Sequence, residues 1–157
     1  MIRTAIALAL ASAFTVAATP AMAQQKKTVL TLETAGKMAQ ACIDKAKAEG
    51  WKMNIAILDD GGHLLHFVRM DGATPASAGI AVEKGRTAAI SRRSSGAWQE
   101  RIKSRPEMLR MPGILPVQGG VPIVVEGTCV GGVGVSGVQS HEDEQIAQAG
   151  IDALLKG

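Results

Sequence analysis

Apolar residues first fall into a helical rhythm at Leu32. Leu32, Ala35, Met38, Ala39, Cys42, Ile43 and Ala46 recur three and four apart, with Thr31 as a candidate N-cap and Gly50 as a stop. The period then changes. Residues 53–58 are almost continuously apolar, as a buried strand is. Asp59-Asp60-Gly61-Gly62 supplies a turn, and residues 63–70 return as a second strand, so the stretch predicts a hairpin. Helical spacing resumes over residues 76–93 through Ile80, Ala81, Ala88, Ala89 and Ile90, with Pro75 at a first-turn position. Ser94 or Ser95 is placed to cap a short helix to Lys103, which Pro106 interrupts. After an irregular connector at residues 108–112, three short apolar runs (114–117, 121–125 and 129–135) read as strands joined by glycine-rich turns. Ser140 opens a final helix in which Asp143 completes a Ser-x-x-Asp capping pattern. Its apolar face is Ile146, Ala147, Gly150, Ile151, Leu154 and Leu155. The order predicts an α/β fold of the α+β type, with a mainly antiparallel sheet of about five strands flanked by helices.

The first 23 residues do not fit that pattern. Arg3 precedes a run of small and apolar residues from Ala5 to Ala18, and Ala21-Met22-Ala23 has the form of a cleavage site. Residues 1–23 are therefore expected to be an export signal. Residues 24–30 follow as a polar, flexible arm, and 31–157 form a single domain in the periplasm or outside the cell. The apolar run is short for a membrane span, so no stable membrane insertion is expected once it is removed. Loss of Arg3 leaves 16 Lys and Arg against 14 Asp and Glu. That near-balance, and the presence of only Trp51, Trp98 and Phe67 as aromatics beyond the leader, argue against nucleic acid as a partner. Export permits a disulfide between Cys42 and Cys129, but the same two residues suit burial as small hydrophobes.

Few stretches carry chemistry. Gly132-Val133-Gly134-Val135-Ser136-Gly137 matches G-x-G-x-x-G but lies about twenty residues from the end, leaving no room for the acidic strand of a dinucleotide fold. The amides of residues 136–140 could hold an anion or carboxylate; equally, the glycines could serve only close packing and a helix cap. His63, His66 and His141 are the only histidines, and no spacing fits a zinc site. His63 and His66 stand three apart in a strand and so point to opposite faces. His66 alternates with Leu64, Val68 and Met70, which suits an axial ligand in an apolar pocket, while His63 shares a face with Leu65, Phe67 and Arg69. Arg69 suits pairing with a carboxylate. Met108 and Met111 bracket the irregular connector. No activated nucleophile is evident.

Taken in order, two sets of residues resemble the GlcG/HbpS family, also called the haem-degrading or PduO C-terminal-like domain. The first is residues 54–65 (Asn-Ile-Ala-Ile-Leu-Asp-Asp-Gly-Gly-His-Leu-Leu) followed by Arg69-Met70-Asp71-Gly72-Ala73. The second is Gly119-Gly120-Val121-Pro122-Ile123, then residues 130–137, Glu142-Asp143 and Ala147-Gln148-Ala149-Gly150. The resemblance spans about Leu30 to Leu155. It implies an antiparallel sheet flanked by helices, homo-oligomeric assembly, and haem or iron binding, with some members exported as haem sensors. It supplies no shared axial ligand. The resulting expectation is an exported haem-binding protein for sensing, storage or trafficking. His66 is its preferred axial and metal ligand and His63 the second choice; Arg69 pairs a propionate, and Met70 and Met111 contact the macrocycle. The family name's degrading activity is not carried over. The alternative expectation is a small-molecule catabolic enzyme or accessory subunit that binds a compact carboxylate near Arg69 at a subunit interface.

Overall fold

A computed structural model describes residues 26–156; the expected leader lies outside the described residues. Helix α1 (Leu32–Ala48) is followed by strands β1 (Asn54–Asp59) and β2 (Leu64–Arg69), then helices α2 (Ala76–Ser91) and α3 (Ser95–Ser104). A 3-10 segment, η1 (Pro106–Arg110), leads to β3 (Gly120–Val125), β4 (Thr128–Ser136) and helix α4 (Ser140–Lys156). Thr31 caps α1 by accepting from the Thr34 amide, and Ser94 caps α3 by accepting from the Ala97 amide. Glu126 and Gly127 both take positive φ, 49° and 77°, as a two-residue turn between twisted antiparallel strands requires.

The sheet is wholly antiparallel, in the order β2-β1-β4-β3. It has four strands, where the sequence pattern predicts about five. Residues 114–117 stay outside because their amides are committed elsewhere. Leu115 donates to Thr87 Oγ1 (2.7 Å) and Val117 donates to the Leu115 carbonyl (2.9 Å), while Pro116 has no amide. Gln118 donates to Gln99 Oε1 (2.9 Å). A segment whose donors are spent on α2, α3 and itself cannot form a ladder.

Alternation sorts the sheet into two faces. Ile55, Ile57, Ile123, Val133 and Val135 point to one, where Ala35, Met38, Ala39 and Cys42 of α1 and Ile146, Ala147 and Ile151 of α4 close over them. Each fully buried Ile or Val there contributes about 1.5–3 kcal/mol. Ala56 and Leu58 point to the other face, against Ala81 of α2. The cysteines divide the same way. Cys42 is buried and donates to the Ile146 carbonyl, whereas Cys129 lies near the Ala89 carbonyl of α2. Both thiols are free, and the sheet stands between them. Burial pushes the Cys42 thiol up to about 12, so it is an inert packing residue.

Candidate functional site

The β1–β2 turn is built by one carboxylate. Asp59 Oδ1 accepts from the amides of Gly61 (2.9 Å) and His63 (2.8 Å), and the Asp59 amide donates to the His63 carbonyl (2.9 Å). Partial burial pushes the Asp59 carboxyl up, but the two amides and the nearby imidazole outweigh it and hold the carboxyl below its ordinary range. Asp59→Ala should cost about 1–2 kcal/mol through the loss of these charge-assisted bonds. The ionised carboxylate makes the contribution, so the difference between wild type and variant is present above the ordinary carboxylate range. It should vanish as pH falls through the lowered value, which urea titrations at several pH values would measure.

The same carboxylate orients His63. Nδ1 lies 3.4 Å from Asp59 Oδ1, and the side chain is 83% exposed. Nε2, on the far side of the ring, is left for an outside ligand, the arrangement by which a carboxylate sets a metal-binding imidazole. Arg86 also holds the turn, its Nε donating to the Gly62 carbonyl (3.2 Å), and exposed apolar side chains lie nearby. Leu64 is 48% exposed, Ile90 41% and Met111 41%. Added Cβ atoms on Gly62 and Gly113 would lie 2.8 and 3.4 Å from the Ile90 side chain, so Ile90 stands between the turn and the connector that follows Met111. His63 and Met111, distant in sequence, are thus brought to one end of the molecule.

The other candidates lie elsewhere. His66 is half-buried on β2, an outer strand of the sheet, and opposite Ile57. A register shift between Ile57 and Leu58 puts Leu64 opposite Leu58, so Leu64 turns towards α2 and leaves the face of His66. Leu65, Val68 and Met70 pack on the α1–α4 side instead. His66 and Met70 therefore share a face, as alternation predicts. Arg69 is exposed on the opposite face, across from Asn54. Asn54 donates to the Thr74 carbonyl (3.1 Å), just ahead of α2, whereas Ile90 is at the helix's far end. Sixteen residues at 1.5 Å each separate those ends by about 24 Å. No one chain brings all five candidates into one pocket. Among the described residues, no three His, Cys, Asp or Glu side chains are placed to share a metal ion.

One arrangement escapes the sequence analysis. Lys84 and Asp143 are buried, with Nζ 2.7 Å from Oδ2, and Lys84 also donates to the Val135 carbonyl (3.2 Å). Asp143 Oδ1 accepts from the amides of Gly137 (2.9 Å) and Val138 (3.2 Å), and Glu142 accepts from the Gln139 amide (3.1 Å). The Ser140–Asp143 capping pattern is therefore replaced: Asp143 reaches behind Ser140. The anion slot that the glycine-rich run could have offered is filled by the chain's own carboxylates. A signal was available, since Ala81, Lys84, Gly85 and Ala88 fall on one buried stripe of α2.

Comparison with known proteins bears on these candidates. Residues 30–152 match the family model described as haem degrading protein HbpS-like. Protein GlcG of Escherichia coli strain K12 is 40% identical over 111 residues, 70% of this chain and 83% of the relative. The crystal structure of a double mutant of Streptomyces reticuli HbpS superposes with a TM-score of 0.80 at 31% identity, covering 97% of this chain and 99% of that one. A PduOC:haem complex shares the fold, with a TM-score of 0.74 at 22% identity over 80% of this chain and 95% of that one.

Proposed function

Because the chain belongs to the HbpS-like family of haem-degrading proteins, we propose that it binds haem at the exposed end formed by the β1–β2 turn and Met111. The observation that carries this reading is His63, exposed and held by Asp59, next to exposed Leu64 on a turn that packs against the partly exposed Ile90. An amphiphilic macrocycle requires an available imidazole beside accessible apolar surface, and these residues fit both needs. Bound haem would supply an iron centre with a coordination position for the imidazole; Leu64, Ile90 and Met111 would cover the ring. His66, with Met70 on the α1–α4 face, is the second candidate ligand. Its ring is less accessible. Arg69 is too far from the His63 end to pair a propionate there.

The test is a haem titration followed in the Soret region. His63→Ala should shift the band and weaken binding by more than about 100-fold, and Asp59→Asn should weaken it less, by about tenfold, as loss of a group that orients a ligating imidazole does. Haem spectra and affinity unchanged by His63→Ala but altered by His66→Ala would move the ligand to β2. No Soret change in the wild type would end the haem reading. Export to the periplasm or beyond, through the leader expected at residues 1–23, and homo-oligomeric assembly belong to the same proposal. Fractionation and light scattering test them.

The compact-carboxylate alternative retains one supporting observation. Arg69, Asn54 and Ser136 lie in register across β2, β1 and β4, beneath the start of α2, which has no side-chain cap. Thermal stabilisation by a small carboxylic acid in haem-free protein, abolished in Arg69→Gln, would favour this reading.

A further inference from the structure

The charge of this chain is unevenly placed. Residues 92–110 hold six Lys and Arg against two Glu, an excess of four, while the whole chain has an excess of three. The remainder is close to neutral, so the overall balance conceals one basic lobe, made of α3 and η1. Lys103 pairs with Glu100 (2.7 Å) and Arg105 with Glu107 (3.1 Å). Arg101 stacks over the Trp98 ring at 5.8 Å. Arg93 and Arg110 are exposed and have no acidic partner among the described residues.

Apolar surface sits in the same lobe. Pro106–Arg110 has no buried residue, yet carries Leu109, which is 58% exposed. A short segment that presents a large aliphatic side chain between cations matches an interfacial element: its apolar tip enters the acyl boundary while its cations meet anionic headgroups. A second copy docking lobe to lobe would place Arg93 and Arg110 against like charge. Nucleic acid would find no free aromatic ring, because Trp98 is buried and already stacked.

We propose that the α3–η1 lobe docks this protein on anionic membrane surfaces, with Leu109 entering the interface and Arg93 and Arg110 engaging headgroups. The attachment is peripheral. Among the described residues, no helix is long and apolar enough to cross a membrane.

Protein lacking the leader expected at residues 1–23 would be sedimented with phosphatidylglycerol vesicles and with phosphatidylcholine vesicles at low and high salt. Partition should favour the anionic vesicles and fall with salt. At about fivefold per cation, the double substitution Arg93→Gln/Arg110→Gln should weaken it about 25-fold. Leu109→Asn should weaken it further without changing the molar mass in solution. Several results would overturn the proposal. One is equal partition onto phosphatidylcholine, or none onto either. Another is displacement by inorganic phosphate beyond that by sodium chloride of equal ionic strength, which marks a local anion pocket. A change of molar mass in Leu109→Asn would make the lobe a contact between copies. Loss of haem affinity in the arginine variant with vesicle binding intact would assign those residues to the haem.

Discussion

Lys84→Ala should destabilise the protein by about 3–5 kcal/mol, because it leaves Asp143 charged and buried without its counter-ion. The pair joins three elements: Nζ comes from α2, the carboxylate from α4, and the Val135 carbonyl from β4. Asp143 in turn closes the Gly137–Val138 turn through two amides, so its loss would loosen the entry to α4. Burial pushes the Asp143 carboxyl above its ordinary range, against the pull of Lys84 and the amides. In the variant the ammonium's pull is gone and the carboxyl rises further. A carboxyl raised in the folded state takes up a proton more readily there than in the unfolded chain. The variant therefore recovers stability as pH falls through that raised value and loses it again as pH rises. Urea denaturation at constant m should show a deficit that is largest at neutral pH and smaller in acid. Lys84→Met with Asp143→Leu should recover most of the loss, since a matched apolar pair leaves no unpaired charge. A single Lys84→Ala change within 1 kcal/mol of wild type at pH 7 would contradict this account.

This ion pair marks the limit of what hydrophobic pattern reveals. The helices and both hairpin strands are legible because apolar spacing and end signals agree: Thr31 caps α1 and Ser94 caps α3, as their positions imply. Residues 114–117 mislead because their apolar run is real. What excludes them from the sheet is Thr87 and Gln99, side chains distant in sequence that take up the relevant amides. The histidines show the same division. Strand alternation places His66 with Met70, but His63 lies ahead of β2, outside the strand to which alternation applies. Alternation cannot foresee the register shift at Ile57/Leu58 that turns Leu64 away, nor that Ile90 would bring Met111 to the His63 end. Lys84 is missed for a related reason. A lysine on an apolar stripe has meaning only once its partner, fifty-nine residues later, is known to face it.

Gly134→Ala should be as damaging as loss of the ion pair, costing about 3 kcal/mol, at the top of the overpacking range. The G-x-G pair of β4 forms the surface on which α2 lies. A Cβ on Gly134 would overlap the Ala81 carbonyl and the Gly85 nitrogen, and would stand 2.8 Å from Gly85 Cα. One on Gly132 would overlap the Gly85 carbonyl and stand 2.9 Å from the Ala89 nitrogen. These neighbours are backbone atoms of a hydrogen-bonded helix, so rotamer changes cannot relieve the overlap. The helix must lift as a body, and Lys84 would be drawn from Asp143 as it does. Gly79→Ala, on the same helix but with nothing within 4 Å of its added Cβ, gives the opposite sign. It should stabilise by about 0.8–1 kcal/mol through helix propensity alone. Paired denaturation curves of the two variants separate a steric requirement from a conformational one. If Gly134→Ala matched wild type, α2 could not lie in backbone contact with β4, and the glycines would need another explanation.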